Sequence, residues 1–339
     1  MDGKVSEMEA VQKKNKYEID MCNGTIMDKL ISFALPLMVS SILQLLFNAV
    51  DIIVVGRFTG SQALAAVGST TALINMFVNL FIGVSLGANV LSARFYAAGK
   101  EREMSETVHT AMTFALISGI VMVFVGLFCA RGALELMDTP ADVIDQAALY
   151  MKIYFCGMPF FMLYNYGAAI LRAVGDTKRP LLFLIISGAV NAALNLFLVI
   201  VFSMGVAGVA IATVFSQIIS CVLVLGCLLG TDSCYRLQIT KLGIKWEYLV
   251  QIFQVGVPAG IQSVVINFSN VLLQSSVNSF GSIAMAGYTA ANNIFGFLFV
   301  SVNSITQACM SFTSQNYGVG KYKRMDSVLL DCGILSFVI

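Results

Sequence analysis

The chain has 339 residues, 58% of them hydrophobic and 12% charged, with a formal net charge of +1. A soluble domain carries about 25% charged residues, so water is excluded as the main solvent, and the near-zero net charge gives no electrostatic footprint for nucleic acid or another acidic partner. Backbone polar groups in lipid must be satisfied within the spanning segment itself, so the expected fold class is all-α and polytopic, with spans of about 20 mostly apolar residues.

Residues 1–28 are polar and mixed in charge, and the first apolar stretch is too long for a signal-peptide core, with no small-residue cleavage site behind it. No cleavage is expected. Spans follow at roughly 29–56, 62–93, 107–130, 147–171, 181–202, 206–229, 249–278 and 284–314, with a ninth starting near Ser327. The units are an N-terminal segment (1–28), a first bundle (29–230), a linker (231–248) and a second bundle that begins at 249 and is still incomplete at 339. With the N-terminus cytoplasmic, only Arg57, Arg131 and Lys152 of the 20 Lys and Arg fall on the outer side. That is a strong positive-inside pattern, and it places the N-terminal segment and the linker in the cytoplasm. The eight cysteines lie mostly inside spans without a C-x-x-C pair, so they read as small buried apolar residues rather than as disulfides or a metal site.

The sequence repeats internally. A shift of 221 residues pairs Gly60 with Gly281, Ala63 with Ala284, Tyr96 with Tyr317, Gly99 with Gly320, Lys100 with Lys321 and Met104 with Met325; a shift of 222 pairs Pro36 with Pro258 and Asn48 with Asn270. Six spans separate the copies, so they run parallel, as two six-helix bundles related by an axis along the membrane normal. Ile339 then corresponds to position 118 of the first copy, and the expectation is a truncated record of a twelve-span protein that lacks about 111 residues of its second bundle.

Polar side chains inside spans are costly and face a bundle interior or a water-filled cavity. Ser40, Gln44, Asn48 and Asp51 fall at steps of four, four and three in the first span, on one helical face. Asp51 is the one acid deep in a complete span, and Arg57, six residues on, points elsewhere. A carboxylate there loses solvation, which makes its charge sensitive to ions and ligands and suits it to ion coupling; the alternative is a wetted Asp near the outer interface with little to do. Asn191 and Asn195 share a face of the fifth span and are candidates to join Asp51, or else to hold helices together. Asn165 and Thr213 are weaker candidates of the same kind. The seventh span carries Ser263, Asn267, Asn270 and Gln274 at similar steps but no acid, so it offers neutral hydrogen bonding to a substrate, as do Gln44 and Asn48 in the first. Asn75, Asn79, Asn303 and Gln307 are read as helix packing rather than cavity lining, and Gly83 and Gly87 as points of close helix contact. Pro36 and Pro258 are candidate hinges, and Pro159 a static bend. His109 reads as an interface residue at the end of the third span rather than a proton relay.

Three stretches carry a resemblance: ALPLMVSSILQLLFNAVDIIVVGRF (Ala34 to Phe58), LRAVGDTKRP (Leu171 to Pro180) and GVAGVAIATVFSQ (Gly205 to Gln217). Together they resemble the multidrug and toxic compound extrusion (MATE) family, and the likeness extends over almost the whole chain. It implies two six-helix bundles around a V-shaped cavity, alternating access, and export of varied, often cationic amphiphiles in exchange for protons or sodium ions. By position, Asp51 is similar to the family's ion-site acid, and Asn165, Asn191, Asn195 and Thr213 to polar residues around it in the DinF-like branch. That branch often has Asp where this chain has Asn195, and the Glu expected in the seventh span of the NorM-like branch is absent. Arg172 and Asp176 are expected to be structural, anchoring the cytoplasmic gate region.

The expectation is therefore an antiporter in the cell (inner) membrane, monomeric, with small-molecule substrates, the lipid bilayer as its other partner, no cofactor beyond the coupling ion (H+ or Na+), and no resident metal. A lipid-linked precursor flippase of related architecture is the alternative, but it calls for a cationic cavity and the spans carry almost no basic residues. A membrane-embedded enzyme needs a nucleophile with a base or a metal cluster, and one His at a span end with one deep acid is a poor set of parts for it.

Overall fold

The computed structural model describes residues 17–137, 139–278 and 282–339. Lys4, Lys13, Lys14, Lys16 and Gly281 lie outside them. The fold is a series of long helices: α1 (Ile26–Phe58), α2 (Ser61–Ala97), α3 (Glu101–Leu136), α4 (Ile144–Cys156), α5 (Met158–Ala173), α6 (Lys178–Leu196), α7 (Gly205–Gly230), α8 (Trp246–Asn278), α9 (Ser282–Gly318) and α10 (Tyr322–Val338). Seven of them are long and apolar enough to cross a membrane, and the bent pair α4 and α5 makes an eighth. Their outer faces carry large apolar side chains in the open, among them Phe128 (80% exposed), Phe268 (64%) and Val222 (61%). Water would penalise that display, whereas hydrocarbon does not.

The fourth span bends beside Pro159, as the sequence suggests, and is two helices that meet at Gly157 at an angle of 48°. Pro159 sits in the first turn of α5 and has no N–H to donate to the turn before it. Beyond the bend, Met158, Met162, Tyr166 and Ile170 follow at four-residue steps and are fully buried, making α5 the central post against which α2, α3 and α7 pack. Pro36 and Pro258, by contrast, lie inside continuous helices. At the other end of α6 the ladder widens into a π-helical turn, Phe197–Val201, directly after Asn195.

The most extensive helix pairing joins α2 to α8. Gly83 and Gly87 on α2 meet Gly256 and Gly260 on α8 with backbone against backbone, so that a Cβ at any of the four would overlap the facing main chain. Both Gly83 and Gly87 thus do what their residue type suggested. α9 packs against α1 and α2, with Phe33 and Phe312 edge to face at 5.7 Å. Asn89 on α2 ties the layers together, its Nδ2 donating to Ala169 O (2.8 Å) and its Oδ1 accepting from Ser311 Oγ (3.1 Å).

At the end of the molecule where α2 and α9 terminate, residues 17–24 form a strap. Ile19 N donates to Gly175 O, and Glu18 accepts hydrogen bonds from Tyr96 and Tyr235, each 2.8 Å. Further along, Asn316 Nδ2 donates to Met21 O at 3.1 Å, and Lys321 and Arg324 bind the carbonyls of residues 22–24. Asp176 is fully buried and paired with Arg179, an anchoring role in keeping with the expectation for this loop. His109 is buried: its Nε2 accepts from Gln238 N at 3.0 Å while its Nδ1 lies 2.6 Å from Ser105 O, which pins the α7–α8 connection to α3.

Candidate functional site

Between α1, α2, α5, α6 and α7 lies a cavity of about 360 Å³. The first helix contributes Gln44, Asn48 and Asp51 at steps of four and three, as helical spacing requires. Ser40 does not line it, because its hydroxyl turns back to Pro36 O at 2.7 Å. From α6 come Ser187, Gly188 and Asn191, from α5 Asn165, and from α7 Thr213, Ser216, Gln217 and Ser220.

Asn195, fully buried, donates its Nδ2 to Asp51 Oδ1, which joins α6 to α1 at the carboxylate. Its own Oδ1 is buried without a protein hydrogen-bond partner among the described residues, as is Gln217 Oε1. No basic side chain lines the cavity. Asp51 is thus a carboxylate with an amide donor and no counter-charge on the wall, surrounded by neutral oxygens and aromatic rings. Such a site fits a proton, a small cation, or an organic cation able to lie on Phe47, Tyr154, Phe161 or Tyr164.

All five residues expected around the ion are therefore assembled: Asp51, Asn165, Asn191 and Thr213 on the wall, with Asn195 bonded to Asp51. Asn165 and Thr213 are held by bonds to their own helices, Asn165 Nδ2 to Phe161 O at 2.8 Å and Thr213 Oγ1 to Val209 O at 3.0 Å. Asn267 and Asn270 on α8 are not brought to this cavity. Asn267 is exposed and its Nδ2 donates to Ser263 O at 2.9 Å; Asn270 is also exposed, and the side chain of Gln274 lies outside the described residues.

Asn75 and Asn79, read from sequence as packing residues, both line the cavity; α2 turns its polar stripe inward because its glycine stripe faces α8. Tyr154, Gln217, Ser187, Ser216 and Ser220 were not anticipated. A signal for three of them was present, since Thr213, Ser216, Gln217 and Ser220 repeat at i, i+3, i+4 and i+7.

The family model described as MatE matches residues 36–197 and 258–339. The chain belongs to the MatE family. The two matched stretches begin at Pro36 and Pro258, the pair that opens the internal repeat. The "Probable multidrug resistance protein YoeA" of Bacillus subtilis (strain 168) is 32% identical over 306 residues, covering 88% of this chain and 66% of that protein. YpnP of the same organism, also named a probable multidrug resistance protein, is 28% identical over 312 residues, covering 90% of this chain and 68% of its own length. This MatE chain thus spans about two thirds of the length of these curated relatives. Among solved structures, a MOP superfamily transporter from Pyrococcus furiosus superposes with a TM-score of 0.89 at 22% identity, covering 96% of this chain and 72% of that one. At that identity the likeness establishes the fold alone, one of long membrane-spanning helices.

Proposed function

We propose that this protein is a secondary active exporter of small amphiphilic, often cationic, compounds, which it exchanges for protons or sodium ions by alternating access. It sits in the cell membrane with its N-terminus cytoplasmic. The observation that carries this reading is Asp51, a carboxylate in an otherwise neutral cavity whose one hydrogen-bond partner among the described residues is the Asn195 amide. Ion and cargo both need that negative charge, so each favours the departure of the other, and each biases a two-state bundle in opposite directions. Asn165, Asn191 and Thr213 position oxygens around the ion, Gln44 and Asn48 bond to cargo, and Pro36 and Pro258 are the hinges. Asn267, Asn270 and Gln274 on α8 serve the cargo from the second half, the first two at a distance from the cavity around Asp51. A membrane potential adds about 2.3 kcal/mol per charge per 100 mV to any exchange that moves net charge.

Efflux tests this reading. Everted vesicles containing the protein should accumulate a fluorescent lipophilic cation when a proton gradient or a sodium gradient is imposed, with one of the two being sufficient. Equal accumulation with both gradients collapsed contradicts ion exchange.

A further inference from the structure

The internal repeat places two basic turns at the same end of the molecule, Gly99–Lys100 after α2 and Gly320–Lys321 after α9. Their surroundings differ. At the second turn, Lys321 Nζ donates to Cys22 O (2.9 Å) and Asn23 Oδ1 (2.8 Å), and Arg324 Nη2 donates to Asn23 O (3.2 Å) and Gly24 O (2.8 Å). The strap supplies these oxygens.

No such strap covers the first turn. Lys100 has Glu103 at 3.9 Å as its one carboxylate partner among the described residues, its Nζ lies over the Phe95 ring 6.0 Å from the centroid, and its side chain is 56% exposed. Arg94 lies over the Tyr317 ring, 4.7 Å from its centroid, and its guanidinium donates to no protein oxygen among the described residues. Between them is a separate cavity of about 280 Å³, lined by Arg94, Phe95, Lys100, Tyr317, Gly320 and Tyr322 among others, and no carboxylate is in its wall. Two cations and two tyrosines thus face a space at the membrane-interface end of two spans. A phosphate there takes the guanidinium fork and the ammonium together. Basic pockets between spans on the positive side select anionic lipid headgroups, and tyrosine rings sit at headgroup level.

We propose that this cavity is a binding site for the headgroup of an anionic phospholipid, clamped between Arg94 and Lys100. The bound lipid bridges α2 to α9, which belong to different copies of the repeat, and so stabilises that junction. The proposal rests on α2 and α9 spanning the bilayer and is independent of ion exchange at Asp51.

The test is thermal melting of the purified protein in detergent, titrated with phosphatidylglycerol, phosphatidylcholine or inorganic phosphate. Phosphatidylglycerol should raise the midpoint and the other two should not. The Arg94→Gln/Lys100→Gln variant should need at least ~10-fold more phosphatidylglycerol for the same shift, while Lys323→Gln, an exposed charge outside the cavity, should titrate as wild type. Lys100→Glu alone, at an exposed position, should show a loss in the same direction even if the double variant folds poorly. Unchanged titration in both Arg94→Gln/Lys100→Gln and Lys100→Glu overturns the proposal. An equal response to inorganic phosphate assigns the site to a soluble anion and overturns it too.

Discussion

Asp51→Asn abolishes ion-driven efflux while leaving the protein folded and inserted. The amide has the size of the carboxylate and can accept the Asn195 Nδ2–H through its own carbonyl oxygen, so the link between α1 and α6 is retained. What is lost is the only negative charge that the described residues place on the cavity wall. Coupling free energies between two ligands run to ~1–3 kcal/mol, or roughly 5–150-fold in affinity, and the whole of that coupling is expected to vanish. Efflux of a fluorescent cation should fall to the level of empty vesicles, with thermal melting close to wild type. Wild-type efflux by the variant would remove Asp51 from the mechanism.

Gly83→Val should be strongly destabilising in the interior of α2. A Cβ at this position overlaps the Gly260 main chain, and backbone cannot swing aside as a side chain can. Overpacking a tight core costs ~1–3 kcal/mol, occasionally more, and here the two helices must separate along their most extensive contact. The expected result is a lower melting midpoint and reduced yield. Gly68→Ala in the same helix, where nothing lies within 4 Å, should melt within error of wild type or slightly above it. Equal melting of the two variants would mean that the α2–α8 seam contributes little.

These predictions depend on features of unequal visibility in the sequence. The spans were legible because a bilayer writes its thickness directly into hydropathy, and Asp51 because an acid in such a stretch has no cheap explanation. Its partner Asn195 was legible from the four-residue step to Asn191, but only as a candidate, since spacing says which face two residues share and not which helix that face meets. The bend at Gly157 was legible from Pro159, but not that it divides the span into two helices. Pro159 marked a disturbance, yet whether a proline kinks a helix or ends it depends on packing, and here Gly119 of α3 allows the Pro159 main chain to approach closely. Asn75 and Asn79 were assigned to packing because polar residues in spans serve both purposes; the deciding fact is that the glycine face of the same helix is taken by α8. The strap of residues 17–24 was hidden for a different reason, since beyond Glu18 and Asn23 it is held through its own backbone carbonyls, which every sequence has.

The central claim is that proton or sodium and cargo exchange at one carboxylate. Its most direct test is the equilibrium binding of a fluorescent lipophilic cation to the purified protein, measured across pH at fixed sodium and across sodium at fixed pH. Because protonation or sodium binding removes the charge that the cargo needs, the apparent Kd should rise as pH falls or as sodium rises, by up to ~10-fold per pH unit once the proton is held. That dependence should be flat in Asp51→Asn. A wild-type Kd indifferent to both ions, or the same slope in the variant, would contradict the account.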